Sequence, residues 1–138
     1  MADAETLRNV PLFQDLPGKS IDRIARFARR RVFQAGDAIV KEGDEGVGFF
    51  LVTKGTVDIA RGGTSIAQVA EGGFFGEMAL LDNHRRSATV TAIGDVETLA
   101  IMRSDFLAEL RANGDLAVEL LSAMSKRIRD LDQQLAER

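Results

Sequence analysis

The residues best suited to bind a small ligand lie in one short segment, between positions 76 and 86. Gly76 has no Cβ, so its backbone can approach a ligand closely and adopt conformations that other residues avoid. The run from 77 to 81 can form one helical turn whose free amide groups point at an anion. Arg86 adds a charged, planar group that donates hydrogen bonds to a phosphate. The segment therefore predicts an anion-binding site.

Glu77 narrows the chemistry of the predicted ligand. A carboxylate beside a phosphate is repulsive unless it accepts a hydrogen bond from another group, and a sugar hydroxyl is the natural donor. These residues together therefore indicate a phosphate fused to a ribose. Glu77 can also be explained as a first-turn helix residue that the helix dipole favours, and the two roles are compatible.

The segment Phe75–Val90 resembles the phosphate-binding cassette of cyclic nucleotide-binding domains, as found in protein kinase A regulatory subunits, bacterial catabolite activators and cyclic-nucleotide-gated channels. It reads Phe-Gly-Glu-Met-Ala-Leu from 75 to 80 and Arg-Ser-Ala-Thr-Val from 86 to 90. Arg85 stands where many members have proline. Further similar segments cover nearly the whole chain: Val10–Phe13 with Leu16, Gly36–Val40, Glu42–Asp44, and Phe49–Val52 with Gly55.

This resemblance implies a set of ligand-binding residues: Phe75, Gly76, Glu77, Met78, Ala79, Arg86, Ser87 and Ala88. In it Arg86 binds the phosphate, Glu77 binds the ribose, and Met78, Ala79 and Ala88 offer backbone amides. Ser87 is ambiguous between purines, and the resemblance favours cyclic AMP over cyclic GMP. The single histidine, His84, lies in the variable loop and is expected to be exposed rather than to hold a metal.

Composition limits the classes of function. Hydrophobic residues make up 45% of the 138 residues and charged residues 28%, as in an ordinary globular domain. The formal net charge of -3 argues against direct nucleic-acid binding, and no apolar run is long enough to span a membrane. The absence of cysteine excludes disulfides and thiolate metal sites. With no secretory signal at the start, a cytoplasmic location is expected.

Hydrophobic periodicity predicts an α+β fold in one domain, 1–138: a helical part at about 1–31, an antiparallel β-barrel (jelly roll) at about 32–102, and helices at about 103–138. A short helix is expected near residues 5–9, before the break at Leu16-Pro17-Gly18. The predicted strands are 38–41, 49–53, 56–60, 65–69, 88–92 and 97–102, and the predicted helices after Arg103 begin with 105–111.

The C-terminal helix carries a second pattern. Its apolar residues are spaced alternately by four and three, as in a coiled-coil seam: Ala117, Leu121, Met124, Ile128, Leu131 and Leu135. The pattern leaves open whether the helix packs on its own domain or forms a homodimer. The resemblance implies that this helix moves over the bound base after repacking near Phe106 and Leu107. Arg127 is the candidate for a cation–π contact with the purine, with Ile128 or Leu131 as apolar alternatives.

The sequence therefore predicts a non-catalytic cyclic nucleotide sensor without a metal or cofactor, acting on an unknown protein effector. Three alternatives remain: the sensory domain of a larger transcription factor or channel, an interaction module with a degenerate pocket, and a cupin-type metalloenzyme. The last needs several converging ligands, which one histidine disfavours. Met1 and the helical ending at Arg138 favour a free-standing chain.

Overall fold

The computed structural model describes residues 2–45, 48–76, 80 and 86–136. The helices are α1 (Ala2–Leu7), α2 (Gly18–Arg26), α3 (Arg103–Ala112) and α4 (Gly114–Ala136). The strands are β1 (Arg29–Phe33), β2 (Ala38–Val40), β3 (Gly48–Arg61), β4 (Thr64–Val69), β5 (Phe74–Phe75) and β6 (Thr89–Met102). The chain forms two compact units. Residues up to Arg26 and from Ala108 form the helical unit, and Phe27–Leu107 form the sheet unit.

Two long strands organise the sheet unit. β3 and β6 pair with each other over most of their length, and every strand pairing in the sheet is antiparallel. β1 and β2 pair with β6, whereas β4 and β5 pair with β3. β3 bends at Gly55, whose φ of +92° is in the left-handed region and whose added Cβ would lie 3.2 Å from Val96. Register shifts on both sides of Lys54 accompany this bend.

The core of the sheet unit is built by side chains from all six strands. Its buried members are Phe50, Val52, Val57, Phe75, Val90, Ala92, Val96 and Ala100, and partly buried Phe33, Ile39, Val40, Ile59, Val69 and Met102 pack against them. Phe75 stacks on Phe50 with ring centroids 5.3 Å apart. Since one cluster receives side chains from every strand, the sheet curves around it. The predicted α+β, jelly-roll class of fold is confirmed.

The helical unit has a core of its own. Its buried apolar residues are Leu7, Val10, Leu12, Phe13, Leu16, Ile21, Ile24, Leu116, Leu120 and Ala123. The hydroxyl of Ser20 donates a 2.5 Å hydrogen bond to Glu119 Oε1, and Arg23 lies 3.6 Å from Glu109. α4 begins after Asn113, whose side-chain Oδ1 accepts the Leu116 N–H at 3.4 Å. This side chain caps the first turn of α4.

Several element boundaries differ from the sequence prediction. The expectation that residues up to about Arg31 are helical is wrong, because α2 ends at Arg26 and residues 29–33 pair with β6. This pairing brings Phe33 into the core, and that gain outweighs the helical spacing of Ile21, Ile24, Phe27 and Ala28, from which the helix was predicted. The predicted pairs of strands at 49–60 and at 88–102 are the single strands β3 and β6. The short β5 was not predicted, and the first helix is Ala2–Leu7 rather than 5–9.

Candidate functional site

The start of the predicted anion site is anchored to the sheet. β5 pairs with β3 through Phe50↔Phe75, and Gly76 follows directly with a φ of +81°. A Cβ added at Gly76 would lie 2.9 Å from the carbonyl oxygen of Gly48 and would press on the Arg86 guanidinium. The position therefore requires glycine both for its backbone conformation and for the close approach of two neighbours.

The backbone of Arg86 is held on both sides by the loop after β2. The Arg86 N–H donates to the carbonyl oxygen of Asp44 at 2.7 Å, and the Gly43 N–H donates to the carbonyl oxygen of Arg86 at 2.9 Å. Two loop residues thus share the two bonds to Arg86, and Gly43 has a φ of +89°, which is the pattern of a G1 β-bulge. The segment Glu42–Asp44, which the sequence analysis treated only as part of the framework, therefore determines where Arg86 lies.

The side chain of Arg86 has donor capacity that the described residues do not use. One terminal nitrogen, Nη2, donates to the carbonyl oxygen of Gly48. Nε is buried and has no hydrogen-bond partner among the residues that the structure describes. Desolvation by burial lowers the pKa of Arg86, although a guanidinium stays charged at neutral pH. A half-buried cation with an unsatisfied donor is suited to an incoming anion.

Arg86 lines a cavity of about 310 Å³, within the usual range for small-molecule sites. The cavity is lined by Ile39, Val40, Lys41, Asp44, Glu45 and Arg86. Apolar side chains of β2 form part of this wall, and charged side chains of both signs form the rest. Among the described lining residues two cations and two carboxylates balance formally, so these residues attract an anion through proximity to Arg86 rather than through a net positive charge.

The other predicted site residues divide into three groups. Ser87 is exposed, Ala88 is partly exposed, and both follow Arg86 toward β6. Glu77, Met78 and Ala79 lie outside the described residues, as do His84 and Arg85, so their predicted roles stay predictions. Arg127 is exposed on α4 in the helical unit, and its contact with a purine likewise stays a prediction.

α4 changes character along its length. Leu116, Leu120 and Ala123 are buried in the helical unit. On the predicted seam Leu121 is exposed, Met124 is partly exposed, and the seam residues beyond Met124 are exposed by half or more: Ile128, Leu131 and Leu135. Within the described part of the chain, no helix is long and apolar enough to cross a membrane, and no group of acidic or histidine side chains could hold a metal ion.

Sequence reasoning missed several residues around Arg86. Lys41 and Glu45 line the cavity, and no motif pointed to them. Arg61 Nε donates to the carbonyl oxygen of Ser87 at 3.1 Å, although nothing in the sequence distinguishes this arginine from other surface arginines. Contacts of this kind depend on the β3–β4 hairpin folding back onto the Arg86 segment, and the spacing of residues within a short stretch of sequence does not encode that.

Comparison with known proteins assigns a family to this arrangement. A family model described as the cyclic nucleotide-binding domain matches residues 30–113. The Cyclic AMP receptor protein of Thermus thermophilus is 35% identical over 134 residues, 94% of this chain and 62% of that protein. A cyclic nucleotide-gated potassium channel of Rhizobium etli is 38% identical over 97 residues, 70% of this chain and 27% of that protein. The chain thus spans less than two thirds of the length of these relatives.

Solved structures agree with the sequence comparison. The N-terminal domain of a transcriptional regulator from Streptomyces coelicolor superposes with a TM-score of 0.83 at 29% identity, covering 93% of this chain and 95% of that one. The catabolite activator protein of Thermus thermophilus superposes with a TM-score of 0.66 at 36% identity, covering 91% of this chain and 62% of that one.

Proposed function

Because the chain belongs to the cyclic nucleotide-binding domain family, we propose that it is a non-catalytic sensor that binds a cyclic nucleotide at Arg86. One observation carries this proposal. The guanidinium of Arg86 is held beside Gly76 at a cavity, with its Nε buried and without a partner among the described residues. A phosphate oxygen supplies the missing acceptor and a countercharge in one group.

In the proposed complex the cyclic phosphodiester binds the guanidinium, and Glu77 accepts a hydrogen bond from the ribose 2′-hydroxyl. Gly76 leaves room for the Arg86 guanidinium beside the backbone of the cassette. Met78, Ala79 and Ala88 contribute amides at the phosphate. Glu77, Met78 and Ala79 lie outside the described part of the chain. Their proposed roles therefore rest on the family pattern alone.

We propose cyclic AMP as the preferred ligand over cyclic GMP. Ser87, next to Arg86, is compatible with either purine. The relatives favour the adenine nucleotide, since they include a protein named for cyclic AMP and the cAMP-dependent protein kinase regulatory subunit of Debaryomyces hansenii. The latter is 38% identical over 92 residues, 67% of this chain and 20% of that protein.

A thermal-shift panel tests the ligand directly. It compares cyclic AMP, cyclic GMP, their 2′-deoxy analogues and linear AMP. A ligand at a hundred times its dissociation constant adds about 2.7 kcal/mol to the free energy of unfolding. We expect the largest shift with cyclic AMP and a smaller one with its 2′-deoxy analogue. No shift with any cyclic nucleotide at millimolar concentration would overturn the proposal in favour of an interaction module with a degenerate pocket.

We further propose that α4 transmits the signal by a shift of population between two arrangements. The boundary between the two compact units falls after Leu107, next to the expected hinge at Phe106 and Leu107. In this proposal Arg127 contacts the purine in the liganded arrangement. Labelling α4 for distance measurements with and without cyclic AMP tests it, and an unchanged distance distribution would contradict it.

The exposed apolar seam of α4 supports a homodimer as the form that acts. Leu121, Ile128 and Leu135 lie on it and are more than 60% exposed, a costly arrangement for a helix that stays alone in water. Sedimentation equilibrium of the wild type and of Ile128→Asp tests this. We expect the variant to be monomeric at concentrations where the wild type is a dimer. A wild type that is monomeric like the variant would contradict the proposal.

A second candidate is that the chain is the sensory part of a larger transcription factor or channel. The coverage of its relatives favours this, because the chain spans 62% of the Cyclic AMP receptor protein and 27% of the potassium channel. In that case α4 continues into an output domain. The sequence of the native transcript beyond Arg138 discriminates the two.

A further inference from the structure

The turn between β3 and β4 is hydrogen-bonded to the segment that carries Arg86. Arg61, the last residue of β3, donates from Nε to the carbonyl oxygen of Ser87 at 3.1 Å. The next residue, Gly62, donates its N–H to Oε1 of Glu42 at 2.9 Å. We call these two hydrogen bonds the turn contacts. They join the β3–β4 hairpin to the loop that begins at Glu42 and to the segment that follows Arg86.

Glu42 extends these contacts toward the beginning of β6. Its N–H donates to Oγ1 of Thr89 at 2.9 Å, and it directly precedes Gly43 and Asp44, which hold the backbone of Arg86. The segment from Arg86 to Thr89 is therefore held at its first residue by the loop, at its second by Arg61 and at its last by Glu42.

Neither side chain has a role in the core. Glu42 and Arg61 are exposed, and the buried cluster of the sheet unit contains neither of them. Single exposed hydrogen bonds contribute little to global stability. Their effect is instead on geometry, because affinity falls when a binding group must be ordered at the moment of binding.

We propose that Glu42 and Arg61 are positioning residues that fix Arg86 for the phosphate of a cyclic nucleotide. The inference rests on the proposed function. Neither residue touches the ligand in this proposal. Both act through the backbone on either side of Arg86, so that their loss lets the guanidinium move from the cavity wall. By linkage, ligand binding at Arg86 must then stabilise the turn contacts to the same extent.

The test measures the cyclic AMP dissociation constant of Arg61→Met and Glu42→Ala by calorimetry. Loss of one hydrogen bond in each is expected to weaken binding by about three- to tenfold. Glu42→Gln keeps an acceptor for the Gly62 N–H and is expected to stay within about twofold of the wild type. Lys54→Met is the matched control for Arg61→Met, since Lys54 is also an exposed cation on β3 but lies on the other side of the Gly55 bend.

Two further measurements separate positioning from general stability. In an Arg86→Lys background, Arg61→Met should change the dissociation constant by less than about twofold, because its effect passes through the guanidinium. In the wild type, cyclic AMP should slow hydrogen exchange at the Gly62 amide, and Glu42→Ala should abolish that slowing. Urea unfolding of each variant establishes that it is folded.

The outcomes distinguish this inference from the proposed function. If the wild type binds no cyclic nucleotide, the proposed function fails and this inference fails with it. If the wild type binds but Arg61→Met and Glu42→Ala match the Lys54→Met control, only the positioning role is overturned. The positioning role would also be overturned if Arg61→Met changed the dissociation constant equally in the wild-type and Arg86→Lys backgrounds.

Discussion

The sequence predicts functional roles for both Arg86 and the second half of α4. In the structure the first is held by hydrogen bonds, whereas the second is largely exposed. The Arg86 segment is held by backbone hydrogen bonds with Gly43 and Asp44 and by one side-chain hydrogen bond from Arg61. On the predicted seam of α4, Leu121, Ile128 and Leu135 each leave more than 60% of their surface in contact with solvent.

The difference is one of preorganisation. A group held in place before the ligand arrives loses little freedom on binding, which favours affinity. An amphipathic helix half with an exposed apolar seam has not yet buried the surface that its sequence provides, which favours a change of partner or position. The two regions therefore match the two tasks of the proposed sensor, recognition and response, and the following substitutions test each of them.

Arg86→Ala is expected to have the largest effect. It removes the charged donor and should weaken cyclic AMP binding by at least about 3 kcal/mol, on the order of a hundredfold, since charged hydrogen bonds contribute about 1.5–3 kcal/mol each. Arg86→Lys keeps the charge but not the planar guanidinium, and its affinity for cyclic AMP should lie between those of the wild type and Arg86→Ala. Calorimetry measures both. Affinity within about twofold of the wild type for both variants would remove Arg86 from the site.

Adjacent leucines on α4 test the difference between its buried face and its exposed seam. Leu120 is 3% exposed and Leu121 is 64% exposed. Leu120→Ala should lower the free energy of unfolding by about 2–4 kcal/mol through lost burial and a cavity. Leu121→Ala should change it by less than about 0.5 kcal/mol at concentrations where the chain is monomeric. Urea unfolding followed by circular dichroism gives both values, and equal losses would contradict the exposed placement of Leu121.

Gly76→Ala tests whether the cassette requires glycine at this position. The left-handed φ and the approach of Gly48 and Arg86 both oppose a Cβ, so we expect a loss of about 1–2 kcal/mol in stability together with weaker ligand binding. Gly94→Ala is the matched control, because Gly94 has a φ of +76° but nothing within 4 Å of its added Cβ. Gly94→Ala should lose stability from strain alone and keep its affinity for cyclic AMP. Equal affinity of the two variants would mean that the close approach at Gly76 is unimportant for binding.

The smallest expected effect concerns an exposed ion pair on α4. Lys126 Nζ donates to Asp130 at 3.1 Å and lies 3.9 Å from Asp15, and the hydrogen bond to Asp130 is the main cause that raises the pKa of Lys126 above its ordinary 10.5. A raised pKa stabilises the fold below the ordinary value and loses that contribution as the pH rises through the raised one. The difference in melting temperature between the wild type and Lys126→Met should therefore shrink above pH 10.5. It should also shrink in high salt at neutral pH, and a difference that is constant with pH would contradict the pairing.

The sequence was most informative where a local pattern requires one kind of residue. Gly76 and Arg86 were predicted from their residue types and from the resemblance of the segment to a phosphate-binding cassette, and the structure places the Arg86 guanidinium where a Cβ on Gly76 would lie. The curved sheet could also be expected, since short apolar runs were separated by turn residues. In each of these cases the physical cause lies within a few residues of the chain.

What could not be predicted depends on contacts between residues that are distant in sequence. The helical spacing of the apolar residues from Ile21 to Ala28 predicted a helix to about Arg31, but pairing with β6 makes residues 29–33 a strand. Glu42 and Arg61 contact the Arg86 segment only because the β3–β4 hairpin folds back to it. No local rule contains that geometry, so these contacts become visible only once the fold is known.

Both ends of β3 contact the same short segment. Gly48, its first residue, accepts a hydrogen bond from Arg86, and Arg61, its last, donates one to Ser87. One inserted or deleted residue would move these ends by about 3.3 Å along the strand relative to each other. Changes of chain length between positions 48 and 61 should therefore be tolerated far less than insertions after Gly63, which leave Arg61 and the Gly62 N–H in place and can loop into solvent.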